Sequence, residues 1–486
     1  MKILFVYSLT ETQSASKPLI TPESINFGIS YIASLLKENG HEPDIVVLSP
    51  NRKSFKILGQ YIKEFNPKIV GFSIIATQFA FLTDLAKHTK KLFPNIYLIA
   101  GGPHVSINPD QVISGPFDAI CIGEGEYPTL ELVQKLNQGE PITNIANLWI
   151  RSGNKVEKNT TRPFLEDLDA LPYPNRNMWF RWIDEHIGSR FSILLGRGCH
   201  FDCTYCSNHV LRKVANGQYV RFRSPDNIIS EIRDLHDKFP DKQEYFFEIE
   251  AININKKWMF DLCEKLKTFN DSLTKPLVFG TNMRITPNAD FEEIFVSCVK
   301  ANIRYLTVGL ESGSDRIRRE VMNRIYSNDD VIRMAKQARE HGLRFGFQNM
   351  IGLPDETEED FWETIKLNRL CQPDWYYLSI FFPYPGTKLA NLCEERGLIR
   401  KSLIDHAYME RKKLYLDMPV FPFRRLIKRY YLFEYDVFKG KKSLLSIAAR
   451  ILQRICLSHD ASSKIYRRIA SIALMQKLNQ MLGIRN

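Results

Sequence analysis

The sequence predicts an α/β protein in three parts: a doubly wound parallel sheet, a partial barrel of six βα units, and a basic, mainly helical tail. Three observations predict this. Short β-branched runs alternate with helix-spaced runs as far as residue 382, one proline-bearing stretch interrupts that alternation, and positive charge collects after residue 406. A chain of 486 residues also exceeds one ordinary core.

Residues 3–8, 44–49, 69–74, 97–102 and 118–124 are apolar and rich in β-branched side chains. Between them, 26–39, 55–65, 81–93 and 129–136 carry apolar residues at helical spacing. Such alternation makes a Rossmann-like, doubly wound sheet over residues 1–143, with ligands at the carboxyl ends of its strands. Gly71, Gly101, Gly102, Gly123 and Gly125 fall at or near those ends. A missing Cβ there admits a bulky ligand, or simply permits a turn. Residues 1–7 read as the first strand, lacking the longer apolar core and small-residue cleavage site of a signal peptide.

Residues 144–184 hold the polar turn Ser152-Gly153-Asn154 and the prolines Pro163, Pro172 and Pro174, and read as a linker. Over 185–406, strand candidates at 191–195, 245–251, 277–282, 305–311, 345–352 and 375–382 alternate with helices at 227–238, 256–269, 291–301, 328–341 and 358–370. Repeats of this length make a TIM-type partial (β/α)6 barrel, whose catalytic groups come from the carboxyl ends of its strands.

The tail, 407–486, has 17 Lys and Arg against 5 Asp and Glu. Taking these from totals of 66 and 55 leaves 49 against 50 in the first 406 residues, so the net charge of +11 resides in the tail. Residues 443–455 and 464–482 have helical spacing, with Leu444, Ala448, Ile451 and Ile455, then Ile465, Ile469 and Ile472. Arg450, Arg454, Arg467, Arg468 and Lys477 punctuate them. A basic amphipathic helix can make a peripheral contact with an anionic membrane, or cover the open side of a partial barrel. The aromatic cluster Tyr430, Tyr431, Phe433, Tyr435 and Phe438 suits either apolar contact. Nucleic acid is the third reading, through its phosphates, and no RNA-binding module is recognisable. No apolar run reaches the roughly 18 residues that span a bilayer. Nine cysteines without an even framework point to a reducing cytoplasm, or to the inner face of its membrane if the tail binds there.

The strongest chemical signal is Gly198-Cys199-His200-Phe201-Asp202-Cys203-Thr204-Tyr205-Cys206, a CxxxCxxC spacing after the strand candidate at 191–195. Three thiolates on one loop can hold three irons of a 4Fe-4S cube, whereas a cluster built only for electron transfer normally takes four. The fourth iron is then open to a substrate. Zinc is the competing occupant, with His200 or His209 completing a tetrahedron, and burial as small hydrophobes is the plain alternative. Cys121, Cys263, Cys298, Cys371, Cys393 and Cys456 are scattered without ligand spacing.

On these residues the chain resembles the radical SAM enzymes. Their open iron chelates the amino and carboxylate groups of S-adenosylmethionine (SAM), and an electron passed into the sulfonium yields a 5′-deoxyadenosyl radical. Tyr205 matches the aromatic position that lies against the adenine. Gly309-Leu310-Glu311-Ser312-Gly313-Ser314 resembles the fourth barrel strand, which implies Glu311 at the ribose hydroxyls with Ser312 beside it. Met322-Asn323-Arg324 resembles the segment whose basic residue pairs with the SAM carboxylate, a role suited to the planar donors of arginine. Gly352-Leu353-Pro354-Asp355-Glu356-Thr357 is similar to the GLPGET loop, with Asp355 where glycine is usual, and Pro383-Tyr384-Pro385-Gly386-Thr387 to the closing PYPGT. The second barrel strand departs from the pattern, with Ile249-Glu250 where paired aspartates are frequent. That leaves Glu250 for the SAM amino group, or Glu248, since residues two apart in a strand share a face.

The N-terminal part narrows the resemblance to the cobalamin-binding radical SAM proteins, which include the class B methyltransferases and the anaerobic Mg-protoporphyrin cyclase-like family. Gly71-Phe72-Ser73-Ile74-Ile75-Ala76-Thr77-Gln78, Gly101-Gly102-Pro103-His104 and Gly123-Glu124-Gly125-Glu126 resemble three loops that face the corrin. The resemblance implies Ser73, Thr77, Gln78, Gly101, Gly102, His104, Gly123 and Glu124 as cobalamin contacts. No DxHxxG motif occurs, as in the branch whose cobalt lacks a protein imidazole, so His104 is expected to touch the cofactor without ligating it. The implied cofactors are a 4Fe-4S cluster on Cys199, Cys203 and Cys206, SAM and cobalamin, and no catalytic residue is implied beyond the cluster. The implied activity is C-methylation of an unactivated carbon in a small-molecule or lipid-like substrate, with an electron donor such as flavodoxin or ferredoxin. Cyclisation, ring contraction or oxidation without methyl transfer is the alternative within that chemistry. A tRNA-modifying enzyme is a further competitor, and a non-catalytic iron-sulfur or cobalamin sensor is the reading from another class.

Overall fold

The computed structural model describes residues 1–9, 17–19, 23, 25–183, 190–400, 403 and 412–457. They fall into two compact units, the first mainly Met1–Glu250 and the second mainly Ala251–Pro383 with the chain after 410. The helix expected over 464–482 lies outside the described residues.

The first unit opens with β1 (Lys2–Ser8), α1 (Phe27–Glu38), β2 (Glu42–Leu48), α2 (Lys53–Phe65), β3 (Ile69–Ser73), α3 (Phe79–Leu92) and β4 (Tyr97–Gly101). Two short helices, α4 (Pro103–Ile107) and α5 (Pro109–Ile113), precede β5 (Ala119–Cys121) and α6 (Glu126–Gln138). The strands form because their β-branched runs pack on both faces: Ile3, Leu4, Val6, Val46, Val70, Leu98 and Ile120 are fully buried. Each such side chain is worth about 1.5–3 kcal/mol relative to exposure. Helix α1 starts where the Asn26 side chain accepts the Ile29 amide at 2.9 Å, an N-cap that satisfies an otherwise orphaned donor.

The sheet runs in the order β2-β1-β3-β4-β5, all parallel. Strands β6 (Leu148–Ser152) and β7 (Lys155–Lys158) add an antiparallel hairpin to its edge. The start of the stretch read as a linker is therefore sheet. Leu148 and Ile150 supply a two-residue apolar alternation too short to stand out beside the prolines that follow, and Gly153, at φ +61°, makes the turn. Helix α7 (Asn177–Phe180) then buries Trp179 completely.

The unit continues with β8 (Phe191–Leu194), β9 (Gly196–Arg197), α8 (Asn208–Leu211), β10 (Arg221–Phe222), α9 (Pro225–Lys238) and β11 (Glu244–Glu248). β8 pairs in parallel with β11, and β9 antiparallel with β10. Gly198, between β9 and the first motif cysteine, has φ +88°, and a Cβ there would lie 2.1 Å from the Tyr219 carbonyl oxygen. No other residue fits that approach.

The second unit contains α10 (Lys256–Asp271), β12 (Val278–Met283), α11 (Glu292–Lys300), β13 (Ile303–Glu311), α12 (Asn328–Glu340), β14 (Arg344–Ile351), α13 (Glu358–Cys371) and β15 (Trp375–Ile380). Its strands are parallel in the order β15-β14-β13-β12. Capping boxes start α12 and α13, Ser327 with Asp330 and Thr357 with Asp360. After α14 (Lys388–Glu395), the tail forms α15 (Phe423–Phe438) and α16 (Leu444–Leu457). Helix α15 packs on α13 and β15, with the Phe433 ring centroid 4.8 Å from that of Tyr376 and 6.1 Å from that of Phe361. Among the described residues no helix is long and apolar enough to cross a membrane.

Candidate active site

The cysteine motif of the first unit is an irregular loop between β9 and α8. Cys199 and Cys203 are buried and Cys206 is half-buried, with its amide donating to the Cys203 carbonyl at 3.1 Å. The Asn208 amide and side-chain nitrogen lie 3.5 and 3.6 Å from Cys206 Sγ. Tyr219 fixes that side chain by donating to Asn208 Oδ1 at 2.6 Å. Burial pushes the Cys206 thiol up to about 11, although the Asn208 N–H groups work the other way. A bound metal reverses that cost, because the cation supplies the charge that a buried thiolate lacks. Among the described residues no group of three or more His, Cys, Asp and Glu side chains closes on a single metal ion. A cube whose irons are bridged by sulfide does not require thiols to meet at one point, so the donor set fits a cluster better than lone zinc. His209 is buried and its Nε2 accepts the Lys388 amide at 3.3 Å. Tyr205 is half-buried.

A cavity of about 400 Å³ lies in the same unit, at the carboxyl ends of β3, β4 and β5. Ser73 and Gly101 are register partners, so those two strands end level. Ser73, Gly101, Gly102, Gly123 and Glu124 line the cavity, which also reaches Gly198 and Arg197 beside the cysteine loop. Gly102 has φ +107°, and a Cβ on it would stand 2.8 Å from the Ile74 carbonyl oxygen. Thr77, Gln78 and His104 do not line the cavity. Gln78 Oε1 accepts from Ser8 Oγ at 2.7 Å, and the buried Thr77 hydroxyl has no partner among the described residues. His104 sits between Gln111 Oε1 at 3.2 Å and Asn108 Nδ2 at 3.4 Å, and burial lowers it to about 4. It is a neutral packing residue behind the lining.

Sequence reasoning missed two arginines that organise this cavity. Arg197 donates to Glu124 Oε1 at 2.9 Å and to Glu126 Oε1 at 2.6 Å, while Arg221 donates to Glu124 Oε2 at 3.0 Å. The Leu165 amide adds a fourth donor at 2.8 Å. Burial works against the Glu124 charge, but Arg221 and Arg197 outweigh it and hold the carboxyl below its usual range. The network ties the loop after β5 to the strand that feeds Cys199. The only local signal was a basic residue in Gly196-Arg197-Gly198-Cys199, because the partners are more than 70 positions away.

The second-strand carboxylates are not equivalent. β11 ends at Glu248, so the two-residue periodicity that would put Glu250 on the same face does not extend to it, and Glu250 lies exposed on a bend. Burial raises the Glu248 carboxyl, with Glu250 adding to the effect and Arg190 opposing it.

In the second unit, Glu311 ends β13 where the register against β14 shifts between Gly309 and Glu311. Its φ of +62° is a left-handed conformation that costs a non-glycine residue about 1–3 kcal/mol and concentrates at functional sites. Arg324 Nη1 lies 3.5 Å from Glu311 Oε1, and its Nη2 donates to the Gly309 carbonyl at 2.7 Å. Tyr326, buried, donates its hydroxyl to the Leu310 carbonyl, with the Arg318 and Arg324 guanidiniums 4.9 and 5.3 Å from its ring centroid. Ser312 is wholly buried; its hydroxyl accepts the Ser314 amide at 3.2 Å and lies 3.3 Å from Thr364 Oγ1. That is a structural role.

The loop after β14 explains the departure at Asp355. Its φ is +62°, the conformation for which glycine is the ordinary choice, and the side chain compensates by accepting from Arg396 at 2.7 Å. Glu356 beside it is fully buried, accepts the Leu353 amide at 3.1 Å and the Gly352 amide, and is raised by burial to about 8. The folded state therefore binds a proton that the unfolded chain releases near pH 4.3, and stability falls as pH rises from about 4 to 8. We expect the Tm of the native protein to drop more steeply between pH 5 and pH 8 than that of Glu356→Gln; parallel curves in thermal scans would disprove this account.

Residues 193–367 match the model of the radical SAM superfamily, and residues 20–133 that of the B12 binding domain. An uncharacterized methyltransferase of Pyrococcus horikoshii is 28% identical over 392 residues, covering 80% of this chain and 82% of the relative. The anaerobic magnesium-protoporphyrin IX monomethyl ester cyclase of Cereibacter sphaeroides is 25% identical over 373 residues, 74% of this chain but only 59% of the cyclase. In fold, the chain is similar to the radical SAM methyltransferase TsrM of Kitasatospora setae, with TM-score 0.62, 16% identity, and coverage of 81% and 75%. It is also similar to the cobalamin-dependent radical enzyme OxsB, with TM-score 0.65, 14% identity, and coverage of 99% and 75%. With both domain models matched in this order and the fold shared with such proteins, the chain belongs to the cobalamin-binding radical SAM proteins, enzymes that use a 4Fe-4S cluster, SAM and cobalamin.

Proposed function

We propose that this enzyme is a cobalamin-dependent C-methyltransferase acting on an unactivated carbon. Residues 1–143 serve as its cobalamin-binding domain, 144–184 as the connection, 185–406 as the radical SAM barrel and 407–486 as an extension. The observation that carries the reading is the glycine-edged cavity at the ends of β3, β4 and β5, which continues to Gly198 at the cysteine loop. The methyltransferase of Pyrococcus horikoshii, matched over most of both chains, supports it.

Cys199, Cys203 and Cys206 would hold the cluster. By the family resemblance, Arg324, Glu311, Tyr205 and Glu250 would each contact SAM, while the wholly buried Ser312 would brace the segment that carries Glu311. Ser73, Gly101, Gly102, Gly123 and Glu124 would edge the corrin, with Thr77, Gln78 and His104 supporting those loops from behind. When bound, these groups supply a reductively generated carbon radical and a transferable methyl group. The chain's part is positional. Arg324 offers planar donors suited to a carboxylate, and Glu311 offers acceptors suited to hydroxyls. The apolar lining, including Phe5, Phe72 and Leu194, would limit water around a bound corrin.

The substrate is a small or lipid-like molecule and the electron donor a flavodoxin or ferredoxin, in the cytoplasm or at the inner face of its membrane. Nucleic acid is not the preferred substrate. With methyl-labelled SAM and dithionite, the reconstituted enzyme should release 5′-deoxyadenosine and transfer label to the product. Nucleoside without label in the product would favour cyclisation or oxidation, the reading to which the cyclase of Cereibacter sphaeroides gives weak support. No nucleoside at all would leave a sensor.

A further inference from the structure

The two tail helices of the second unit do different things. Helix α15 buries Leu426, Phe433 and Val437 and acts as a cover for α13 and β15. Helix α16 is held on one side, by fully buried Ile447, by Gln453, and by Arg454, which donates to the Tyr430 carbonyl at 2.6 Å. Its other side carries Leu444, Leu445, Leu452 and Ile455, which are 68, 70, 60 and 41% exposed. Ala448, also exposed, continues the stripe between Leu445 and Leu452. An amphipathic helix in water normally turns such a stripe inward. Here it faces out.

Charge indicates what it faces. Helix α16 contains no Asp or Glu, and residues 412–457 hold 11 Lys and Arg against 3 Asp and Glu. Lys439 and Lys441, both exposed, precede the first turn, where the helix dipole is already positive. Cations at that end add to the macrodipole rather than offset it. Lys441 Nζ donates to the Arg369 carbonyl and Lys439 Nζ lies 5.1 Å from the Tyr435 ring centroid, but among the described residues neither meets a carboxylate, so the helix presents an apolar stripe with a positive end. That combination suits a phosphate-bearing surface over a hydrocarbon layer. A protein partner would have to supply both an apolar groove and an acidic rim.

We propose that the outer face of α16 is an interfacial helix that seats on an anionic phospholipid surface. This stands apart from the methyl-transfer reading, since vesicle binding needs neither cluster nor corrin. The full-length protein should float with vesicles containing phosphatidylglycerol at low salt, at least about tenfold more than with phosphatidylcholine alone, as expected for two lysines near the surface. Leu445→Glu/Leu452→Glu should fall to the phosphatidylcholine level while keeping its circular dichroism and cobalamin binding. Three results would overturn the proposal: no flotation of the native protein with anionic vesicles, equal flotation of the variant, or equal binding to both lipids. Absence of flotation would mean that the stripe is already covered in solution.

Discussion

Replacing Cys203 by alanine is expected to abolish SAM cleavage, reducing 5′-deoxyadenosine to the level of a control without protein. With one of three ligands gone, one iron of the cube loses its only protein donor, and the remaining thiols at Cys199 and Cys206 hold at most a fragment. The fold should survive, since removing one sulfur from a small buried side chain costs about 1 kcal/mol. Iron content and the visible absorbance of the reconstituted protein separate these effects: both should fall while far-UV circular dichroism stays constant. Cys263→Ala is the matched control, because Cys263 is buried in α10 away from any ligand spacing. Equal loss of cleavage in the two variants would show that the motif has no special role.

Replacing Arg197 by methionine should destabilise the first unit by about 3–5 kcal/mol, the usual cost of stranding a buried charge by removing its partner. The Arg197 side chain is 16% exposed and the Glu126 side chain 5%, so water cannot readily take over from the guanidinium. Glu124 keeps Arg221 and the Leu165 amide, whereas among the described residues the Glu126 side chain accepts from no donor other than Arg197. For a unit of this size each 1 kcal/mol is about 2–4 °C in Tm, so a drop of roughly 10 °C is expected in a thermal scan. Adding Glu126→Gln to the methionine variant should recover part of the loss, because it removes the stranded charge. A single variant that melts within two or three degrees of the native protein, about 1 kcal/mol by the same scale, would mean the network is ornamental.

How much of this could be read in the sequence depends on the range over which each feature is encoded. The strand candidates of both sheets correspond to observed strands because β-branched runs and helical periods are local signals. Helices α4 and α5 escaped notice because each is five residues long and begins with proline, which reads as a breaker although it is well suited to a first helical position. The pairing of Glu248 with Glu250 failed for a related reason: periodicity holds only inside a strand, and β11 stops at the first of them. The cysteine loop was legible since its ligands lie within eight residues. Arg197, Arg221 and Tyr326 were not, because each draws its meaning from partners that only folding brings near.

The level ending of β3 and β4 has a geometric consequence. Two shelves at one height support a disc; two at different heights tilt it. A single residue inserted into β4 would raise the Gly101 shelf by about 3.3 Å and also exchange which side chains face upward. Length changes in this strand should therefore be poorly tolerated whatever residue is added, and the loops just beyond Ser73 and Gly101 share that limit, since the Ile74 amide donates to the Gly101 carbonyl at 2.8 Å and the His104 amide to the Ile74 carbonyl at 3.2 Å. The tolerance of the protein to insertion would thus trace the outline of the ligand it holds.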